Sequence, residues 1–354
     1  MANATNLPVT NSDLMTTQQF FIVAESCAIV WAALSIFGII SNTINIKIFI
    51  IMGMGDSGTV SLLALSIFDL LYSIIALCAG VSGILAMVEL RCGVVFAIEP
   101  FGVGVIFANV MTLINVPNTL VTTFIAVARC MCVAKPLHFR NMFTRTRTVI
   151  CSIVFTLFAV VVYVPVLTNM GVVMQFDRRR NISRLSLWVS HDREFVKDIV
   201  WMITDVILPF TTQFIVIVSV VIMARGLRIA SSFRQSYASN VVTEPGTDSK
   251  KADNNAETET LSDNILSSHT LTKKEFRVIQ QIILISVVYI ICNTPKILAS
   301  TAATIEPQYT FGGRYNNIYL AINLLRKHFE IVNASVNTFI YYAYNTKFRN
   351  TLHL

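Results

Sequence analysis

Residues 59–86, TVSLLALSIFDLLYSIIALCAGVSGILA, form an apolar run with a single charged side chain, Asp69. The run is longer than the about 20 apolar residues that a bilayer-spanning helix needs. Apolar residues dominate all faces of the run, as expected of a helix in contact with lipid and protein. Membrane strands are shorter and alternate in polarity, which argues against a strand. The stretch therefore predicts a transmembrane helix with one buried carboxylate.

The rest of the chain repeats this pattern. It is 54% hydrophobic and 13% charged, whereas a soluble protein carries about a quarter charged residues. Seven runs are long enough to cross a bilayer: 21–51, 59–86, 96–131, 148–174, 196–224, 276–304 and 317–344. We therefore expect an all-α membrane protein built as a seven-transmembrane helix bundle.

The flanking charges predict the orientation. With the N-terminus outside, the cytoplasmic side receives about twice as many Lys and Arg residues as the outer side, as the positive-inside rule requires. The sequons at Asn3 and Asn181 then lie outside, where glycosylation occurs. The net charge of +7 is mostly an inner-surface charge, so no nucleic-acid partner is expected.

The domain prediction follows from these spans. It comprises an extracellular N-terminal tail (1–19), helices one to five (20–234), a disordered third cytoplasmic loop (235–272), helices six and seven (273–345), and a short cytoplasmic tail with the stub of an eighth helix (346–354).

Polar side chains inside the spans form a second pattern. Each is costly in lipid and should face a partner or a cavity. Besides Asp69 they include four amides, Asn42, Asn118, Asn333 and Asn337. Their oxygens suit a sodium ion, and the same groups suit a hydrogen-bonded network that fixes helix packing. The residues alone favour the network over the ion.

Further motif residues follow in order on the later spans. Arg129 ends the third span, Pro136 follows seven residues later, and Pro209 lies in the fifth span. The sixth span carries Tyr289, Asn293 and Pro295 in YIICNTP, and the seventh ends NTFIYYAYNTKFR with Asn337 and Tyr341. Over residues 20–350 the chain therefore resembles the rhodopsin-like (class A) G-protein-coupled receptors. That family carries an inner Arg on helix three, a Pro-Leu in the second inner loop, a helix-five proline, Phe-x-x-Cys-Trp-x-Pro and Asn-Pro-x-x-Tyr. Asn42 and Asp69 match polar positions of its first two helices, and the resemblance raises the sodium interpretation to equal standing.

The resemblance implies a switch at the cytoplasmic end. Arg129, Tyr341 and Pro136 would face a heterotrimeric G protein once the sixth helix swings outward. Pro209, Tyr289, Asn293 and Pro295 would couple helices five and six. Arrestin and a receptor kinase are further expected partners through the Ser/Thr-rich third inner loop, and the plasma membrane is the expected location.

The sequence departs from the family pattern at several points. Ala128 stands where an acidic neighbour of Arg129 is usual, and we expect Glu275 to pair with Arg129 instead. Thr338 replaces the proline of the seventh-helix motif, and Asn293 replaces the sixth-helix tryptophan. Gly104 stands where the family has the helix-three cysteine of its outer disulfide. A more mobile cavity mouth is therefore expected, unless two of Cys27, Cys78 and Cys92 form a bridge.

The outer halves of the helices are the expected ligand site. Its candidates, placed by distance from the motif residues, are Met111, Asn115, Trp201, Asp205, Asn293, Lys296, Lys327 and Glu330. Both signs of charge occur among them, which suits a zwitterion or a peptide terminus. The alternative is that these charges pair with one another and only hold the helices together. By the resemblance, Met111 occupies the place of the aspartate in aminergic receptors, so an amine ligand is disfavoured. Ile331 occupies the place of the retinal lysine in opsins, so light sensing is disfavoured as well.

At the subfamily level the sequence is similar to molluscan chemosensory receptors, and more distantly to invertebrate neuropeptide receptors. The expected function is therefore a receptor for an extracellular, chemosensory small molecule. A neuropeptide receptor, a seven-helix transporter or channel, and a receptor that has lost signalling are the alternatives. The sequence contains no catalytic motif, and no enzymatic activity is expected.

Overall fold

The computed structural model describes residues 14–134, 143–177, 181–191, 193–242 and 273–353. The chain is mostly helical. Its elements are α1 (Thr17–Met52), α2 (Ser57–Cys92), α3 (Pro100–Ala134), α4 (Arg145–Thr168), β1 (Met170–Asp177), β2 (Ile182–Val189), α5 (Arg193–Trp201), a π-helical segment (Met202–Ile207), α6 (Leu208–Val242), α7 (Lys273–Ile305), α8 (Asn316–Ser335), α9 (Asn337–Tyr344) and α10 (Thr346–Leu352).

Capping residues in the polar flanks set the ends of the first two helices. Thr16 and Gln19 form a reciprocal capping box at the start of α1, which satisfies two free backbone N–H groups. Gly53 ends α1 with φ 83°, and Gly93 ends α2 in the left-handed conformation with φ 68°. Because the caps lie outside the apolar runs, both helices are longer than the predicted spans.

Within the described residues, six helices are long and apolar enough to cross a membrane: Thr17–Met52, Ser57–Cys92, Pro100–Ala134, Arg145–Thr168, Phe195–Ile229 and Phe276–Ile305. Six such helices indicate a multi-pass membrane protein. The predicted seventh span, 317–344, falls on α8 and α9, and the long helix α8 carries Arg326, Lys327 and Glu330. Its composition therefore does not mark it as a span, although it packs against α1, α2 and α7.

The third helix is the centre of the bundle. It contacts α2, α4, α6 and α7, and it is the most buried of the six apolar helices. The outward face of α4 is apolar but exposed, along Ile150, Ile153, Val154, Leu157 and Val161. The spacing places these side chains on one face of the helix. A continuous exposed apolar stripe is the pattern expected where a helix meets lipid.

A break at Val336 separates α8 from α9 without a proline. Side chains of α1 donate hydrogen bonds to the carbonyl groups that the break frees: Asn42 Nδ2 donates to Ala334 O (2.7 Å), and Ser41 Oγ donates to Ser335 O (3.1 Å). Thr338, the residue in place of the motif proline, donates its hydroxyl to Asn45 Oδ1 (2.9 Å). Hydrogen bonds to α1 therefore stabilise a break that proline usually produces.

The predicted fourth span, 148–174, is wrong at its end. The helix stops at Thr168, and the next residues form β1, which pairs antiparallel with β2 from Met170↔Val189 to Asp177↔Ile182. The sequon residue Asn181 lies exposed in the turn with φ 54°. The apolar residues of β1 extend the hydrophobic run, so composition alone does not separate the strand from the helix.

Two other predicted boundaries differ from the structure. The third span was expected from residue 96, but α3 starts at Pro100, where proline is favoured because its missing N–H is not needed. The helix α6 continues to Val242, into the segment predicted as the third cytoplasmic loop. The remainder of that loop, residues 243–272, lies outside the described residues, as does Asn3.

Hydrogen bonds attach the hairpin to the segment before α3. Glu99 N donates to Leu185 O (2.8 Å), and Leu185 N donates to Ala97 O (3.1 Å). Leu187 N donates to the Glu99 carboxylate (3.1 Å), and Arg184 forms a buried ion pair with Glu89 of α2. All seven cysteines fall in the described ranges and none forms a disulfide, so the bridge that the sequence left open among Cys27, Cys78 and Cys92 is not formed.

A glycine in the first turn of α3 makes this attachment possible. A Cβ on Gly102 would lie 2.7 Å from Leu187 Cβ and 3.2 Å from Leu187 N, whereas a Cβ on Gly104 would make an ordinary contact at 3.5 Å from Ser82 Cβ. The backbone of α3 can therefore approach β2 closely only without a side chain at residue 102.

We expect Gly102→Ala to push β2 away from α3 and to destabilise the hairpin by about 1–3 kcal/mol, as overpacking does. Hydrogen exchange at the amides of Leu185 and Leu187 should become faster. Gly104→Ala is the matched control and should leave this exchange unchanged. Equal exchange rates in both variants and the wild type would show that the close approach does not hold the hairpin.

Candidate functional site

The buried carboxylate Asp69 lies where three helices meet. Its side chain is fully buried. Asn118 Nδ2 of α3 donates to Asp69 Oδ1 (2.8 Å), and Asn337 Nδ2 of α9 donates to Asp69 Oδ2 (2.9 Å). Three of the predicted polar residues therefore form one hydrogen-bonded cluster, as the network interpretation requires.

The other two predicted amides lie beside this cluster. Asn42 bonds to the backbone carbonyls of Gly38 (2.9 Å) and Ala334 (2.7 Å) and accepts from Asn45, so it joins α1 to α8. Asn333 lines a small polar cavity next to Asn118. Neither amide has a hydrogen bond to Asp69 in the described part of the chain.

The cavity extends from the Asp69 cluster toward the hairpin end of the bundle. It has room for about one water molecule, and its lining is Asn115, Asn118, Thr119, Thr122, Tyr289, Cys292, Asn293, Glu330 and Asn333. Two of the lining side chains carry buried oxygens without a hydrogen-bond partner among the described residues, Asn118 Oδ1 and Glu330 Oε1. Unpaired buried acceptors are costly, so the cavity suits an occupant that donates hydrogen bonds or carries positive charge.

Above the cavity, charged side chains from the π-helical segment, α7 and α8 form a charged cluster. Among the described residues it contains three cations and two carboxylates: Lys296, Arg326, Lys327, Asp205 and Glu330. The cluster therefore carries one more positive than negative charge.

The pairings within the charged cluster are specific. Arg326 Nη1 lies 2.8 Å from Asp205 Oδ1, and Lys296 Nζ lies 3.6 Å from the same oxygen. Glu330 Oε2 accepts from Lys327 Nζ (2.7 Å) and from the Tyr72 hydroxyl (2.6 Å). The predicted charged residues are thus brought together, and they pair with one another.

Sequence reasoning missed Arg326 and Tyr72. Arg326 is the only residue of the charged cluster within 4.0 Å of both carboxylates, a statement that covers the described residues. Its charge inside an apolar run was the available signal, since every charge in a span needs a partner. Tyr72 lies one helical turn from Asp69 in the same run, where its hydroxyl carried no charge to mark it.

The π-helical segment positions Asp205 and creates a partner for Lys296. Leu208 N donates to Ile203 O across the widened turn, and Pro209 has no N–H to donate. The carbonyl of Thr204 is therefore left without its helical donors, and Lys296 Nζ donates to it (3.2 Å). Pro209 thus leaves the Thr204 carbonyl open, and through this carbonyl Lys296 hydrogen-bonds α7 to the segment that carries Asp205.

Polar contacts also join α6 and α7 at the predicted switch residues. The Tyr289 hydroxyl lies 2.9 Å from Thr212 Oγ1. Asn293, which stands in place of tryptophan, donates to Gln213 Oε1 (2.8 Å). Pro295 lies inside α7 two residues further along. The two helices are therefore connected by side-chain hydrogen bonds along one face.

Two predicted ligand-site residues have other roles. Met111 is fully buried in an apolar cluster with Trp31, Tyr72 and Ile331, so its prediction as a cavity residue is not supported by its position. Trp201 ends α5 and is half-buried. Asn115 and Glu330 do line the cavity.

The opposite end of the bundle carries the predicted switch residues Arg129 and Tyr341. Tyr341 is fully buried and packs against Phe49 and Phe348 with ring centroids 5.1 and 5.6 Å away. The same apolar cluster includes Cys130, next to Arg129. Pro136 lies outside the described residues, and so does the side chain of Glu275.

Removing one member of the charged cluster should be costly, because it leaves the buried partner charges unpaired. We expect Asp205→Asn to leave Lys296 and Arg326 short of a counter-charge and to lower the free energy of unfolding by about 3 kcal/mol. Thermal unfolding of the purified protein in detergent measures this loss. The control is Glu25→Gln, which breaks the exposed ion pair with Arg91 and should cost less than about 1 kcal/mol. Similar losses in both variants would contradict the role of the cluster.

No protein-family model matches the sequence, and no curated protein matches it at a significant level. The function is therefore argued from the residues and from the contacts described above.

Proposed function

We propose that this chain is a rhodopsin-like G-protein-coupled receptor of the plasma membrane. In this proposal α8 and α9 form a seventh span, the N-terminus lies outside, and the hairpin end of the bundle faces the extracellular side. The single observation that carries the proposal is the cluster of Asp69, Asn118 and Asn337. The family pattern selects Asp69 and Asn337, and Asn118 is a polar residue inside a third span. Both amides donate hydrogen bonds to the Asp69 carboxylate.

The two ends of the bundle fit the two halves of such a receptor. The hairpin end holds the charged cluster, which joins the segment before α6 to α7 and α8. The other end holds Arg129 and Tyr341, and the third apolar helix connects the two. An extracellular ligand and a cytoplasmic G protein would therefore act on the same set of helices.

The contacts suggest how binding is transmitted. A ligand that competes for Lys296 would release α7 from the carbonyl of Thr204. Since Tyr289 and Asn293 join α7 to α6 further along, a shift of α7 would be carried toward the Arg129 end. Such a displacement of one helix between two arrangements is a known form of switching.

The charges in the cluster favour a zwitterionic ligand. A ligand carboxylate would exchange with Asp205 for Lys296 and Arg326, and a ligand ammonium would meet Glu330 Oε1, which lacks a hydrogen bond among the described residues. The similarity to molluscan chemosensory receptors makes a small molecule our first candidate. A peptide with a free terminus is the second, because it presents one of these charges.

A transporter or channel is the competing class. It would use a continuous polar pathway between the two ends. The cavity between the charged cluster and Asp69 holds about one water, and apolar packing of Met223, Ile282 and Ile285 lies toward the Arg129 end. This packing favours a receptor, in which helices move and no solute crosses.

G-protein activation in cells tests the proposal. Wild type, Arg129→Ala and Glu275→Ala are compared at matched surface expression, with and without zwitterionic amino acids, in a panel of G-protein sensors. We expect Glu275→Ala to raise ligand-free signalling and Arg129→Ala to abolish all signalling. Lys296→Ala should raise the ligand-free signal, because it also releases α7 from the carbonyl of Thr204, and it should lose the response to zwitterions.

Topology provides a test that needs no ligand. Tags at the two termini should lie on opposite sides of the plasma membrane, with the N-terminal tag accessible in intact cells. Termini on the same side would contradict a seven-span receptor. Partners such as arrestin and a receptor kinase are then sought by ligand-dependent recruitment.

A sodium ion is proposed near Asp69, and the donor set fits it. Asp69 supplies a carboxylate, Asn118 Oδ1 is an acceptor without a partner among the described residues, and Asn333 lines the adjoining cavity. Oxygen donors of this kind suit a hard cation. A bound sodium ion would neutralise the buried charge of Asp69.

We expect sodium chloride to raise the unfolding temperature of the purified protein above that in choline chloride, by about 2 °C at ten times the dissociation constant. Asp69→Asn keeps an acceptor oxygen but removes the charge, and its unfolding temperature should not depend on sodium. An equal response in both proteins would exclude a sodium site at Asp69 and favour the hydrogen-bonded network alone.

A further inference from the structure

Arg129 lies against the start of α2. A Cβ built on Gly58 would overlap Nη2 of the Arg129 guanidinium, and Asp56 Oδ2 lies 3.0 Å from the same position. Gly58 therefore leaves the space that the guanidinium occupies. The guanidinium and the Asp56 carboxylate both border that space, although no hydrogen bond joins them.

Asp56 is held in place by its own helix. It is the N-cap of α2, where its Oδ2 accepts from Thr59 N (2.9 Å) and its Oδ1 accepts from Thr59 Oγ1 (2.7 Å). Burial opposes ionisation of Asp56, but the hydrogen bonds from Thr59 and the positive charges of Arg129 and Lys347 outweigh it and lower the pKa of this carboxyl. The group beside Arg129 is therefore a fixed anion near neutral pH.

A second cation meets the same turn. Lys347 of α10 donates its Nζ to Met52 O (2.8 Å) at the end of α1. The turn between α1 and α2 thus contacts both α3 and α10. One carboxylate at this turn faces two cations from different parts of the chain.

We propose that Asp56 is an acidic partner of Arg129, in addition to the expected Glu275, and that Gly58 leaves the space that the guanidinium occupies. Ala128 leaves Arg129 without an adjacent acid, and Asp56 supplies the negative charge from the start of α2. Asp56 and Gly58 are positioning residues, because they act through Arg129. The closeness of Asp56 and Arg129 is independent of function, whereas its role as a restraint on signalling rests on the proposed receptor function.

Double substitutions test the contact without any ligand. Asp56→Asn keeps a good N-cap, since Asn and Asp cap equally well, but it removes the charge. We expect it to lower the unfolding temperature of the purified protein by about 2 °C and by a smaller amount in an Arg129→Gln background, where only Lys347 still faces the carboxylate. Asp56→Ala also loses the cap and should lower the unfolding temperature in both backgrounds. An equal loss for Asp56→Asn in both backgrounds would overturn the proposal.

Gly58→Ala gives an independent test. The added methyl group should displace the guanidinium, so Asp56→Asn should have a smaller effect on the unfolding temperature in a Gly58→Ala background. Gly55→Ala is the matched control, because a Cβ there meets nothing within 4 Å. The effect of Asp56→Asn should persist in full in that background. If the effect of Asp56→Asn is equally large in the Gly58→Ala background, the placement of the guanidinium is overturned.

A signalling measurement separates this proposal from the proposed function. Asp56→Asn and Gly58→Ala should raise ligand-free G-protein activation at matched surface expression, and Arg129→Gln should suppress the rise. If the effects of the substitutions on the unfolding temperature depend on one another but no variant activates a G protein, the placement of Asp56 beside Arg129 is supported and the receptor function is contradicted. If G-protein activation depends on Arg129 but does not change with Asp56→Asn or Gly58→Ala, the receptor function is supported and the role of Asp56 as a restraint is overturned.

Discussion

The arrangement of the bundle depends on one constraint, the need to satisfy a carboxylate in its apolar centre. An isolated charge there would be far too costly, so Asp69 must have hydrogen-bond donors. One donor comes from Asn118 of α3 and the other from Asn337 at the start of α9. To bring Asn337 into place the chain breaks at Val336. The two carbonyls freed by the break are bonded by α1, so a single carboxylate organises contacts among α1, α2, α3, α8 and α9.

The charged cluster applies the same constraint nearer the hairpin. On α8, Glu330 is reached by Lys327 and Arg326 because residues three and four apart share a helix face. Arg326 then meets Asp205, whose segment is widened before Pro209. The unbonded carbonyl produced by that widening binds Lys296. Local backbone geometry and charge pairing therefore depend on each other, and a ligand that exchanges with one ion pair perturbs several helices.

The sequence was sufficient to predict six long apolar helices and to single out Asp69, Asn118 and Asn337 as polar residues inside them. Long apolar runs and intramembrane polar residues are strong signals, because lipid permits few alternatives. It was insufficient where the outcome depends on a partner distant in the chain. The apolar residues of β1 resemble a continued helix until β2 is present to pair with them. Asp56 lies outside every span, so nothing in its local sequence connects it with Arg129. Whether α8 crosses the membrane also depends on its neighbours, since they neutralise the charges that make it polar.

Three departures from the resembled pattern coincide with polar contacts that supply a similar constraint. In place of an outer disulfide, backbone bonds of Leu185 and the buried pair of Arg184 with Glu89 attach the hairpin. In place of the proline, Thr338 bonds to α1, and in place of the tryptophan, Asn293 bonds to α6. Hydrogen bonds and ion pairs in a water-poor interior are strong enough to fix geometry, yet they exchange partners without breaking a covalent bond. A bundle held in this way can keep one arrangement at rest and still be moved by a ligand that offers equivalent partners.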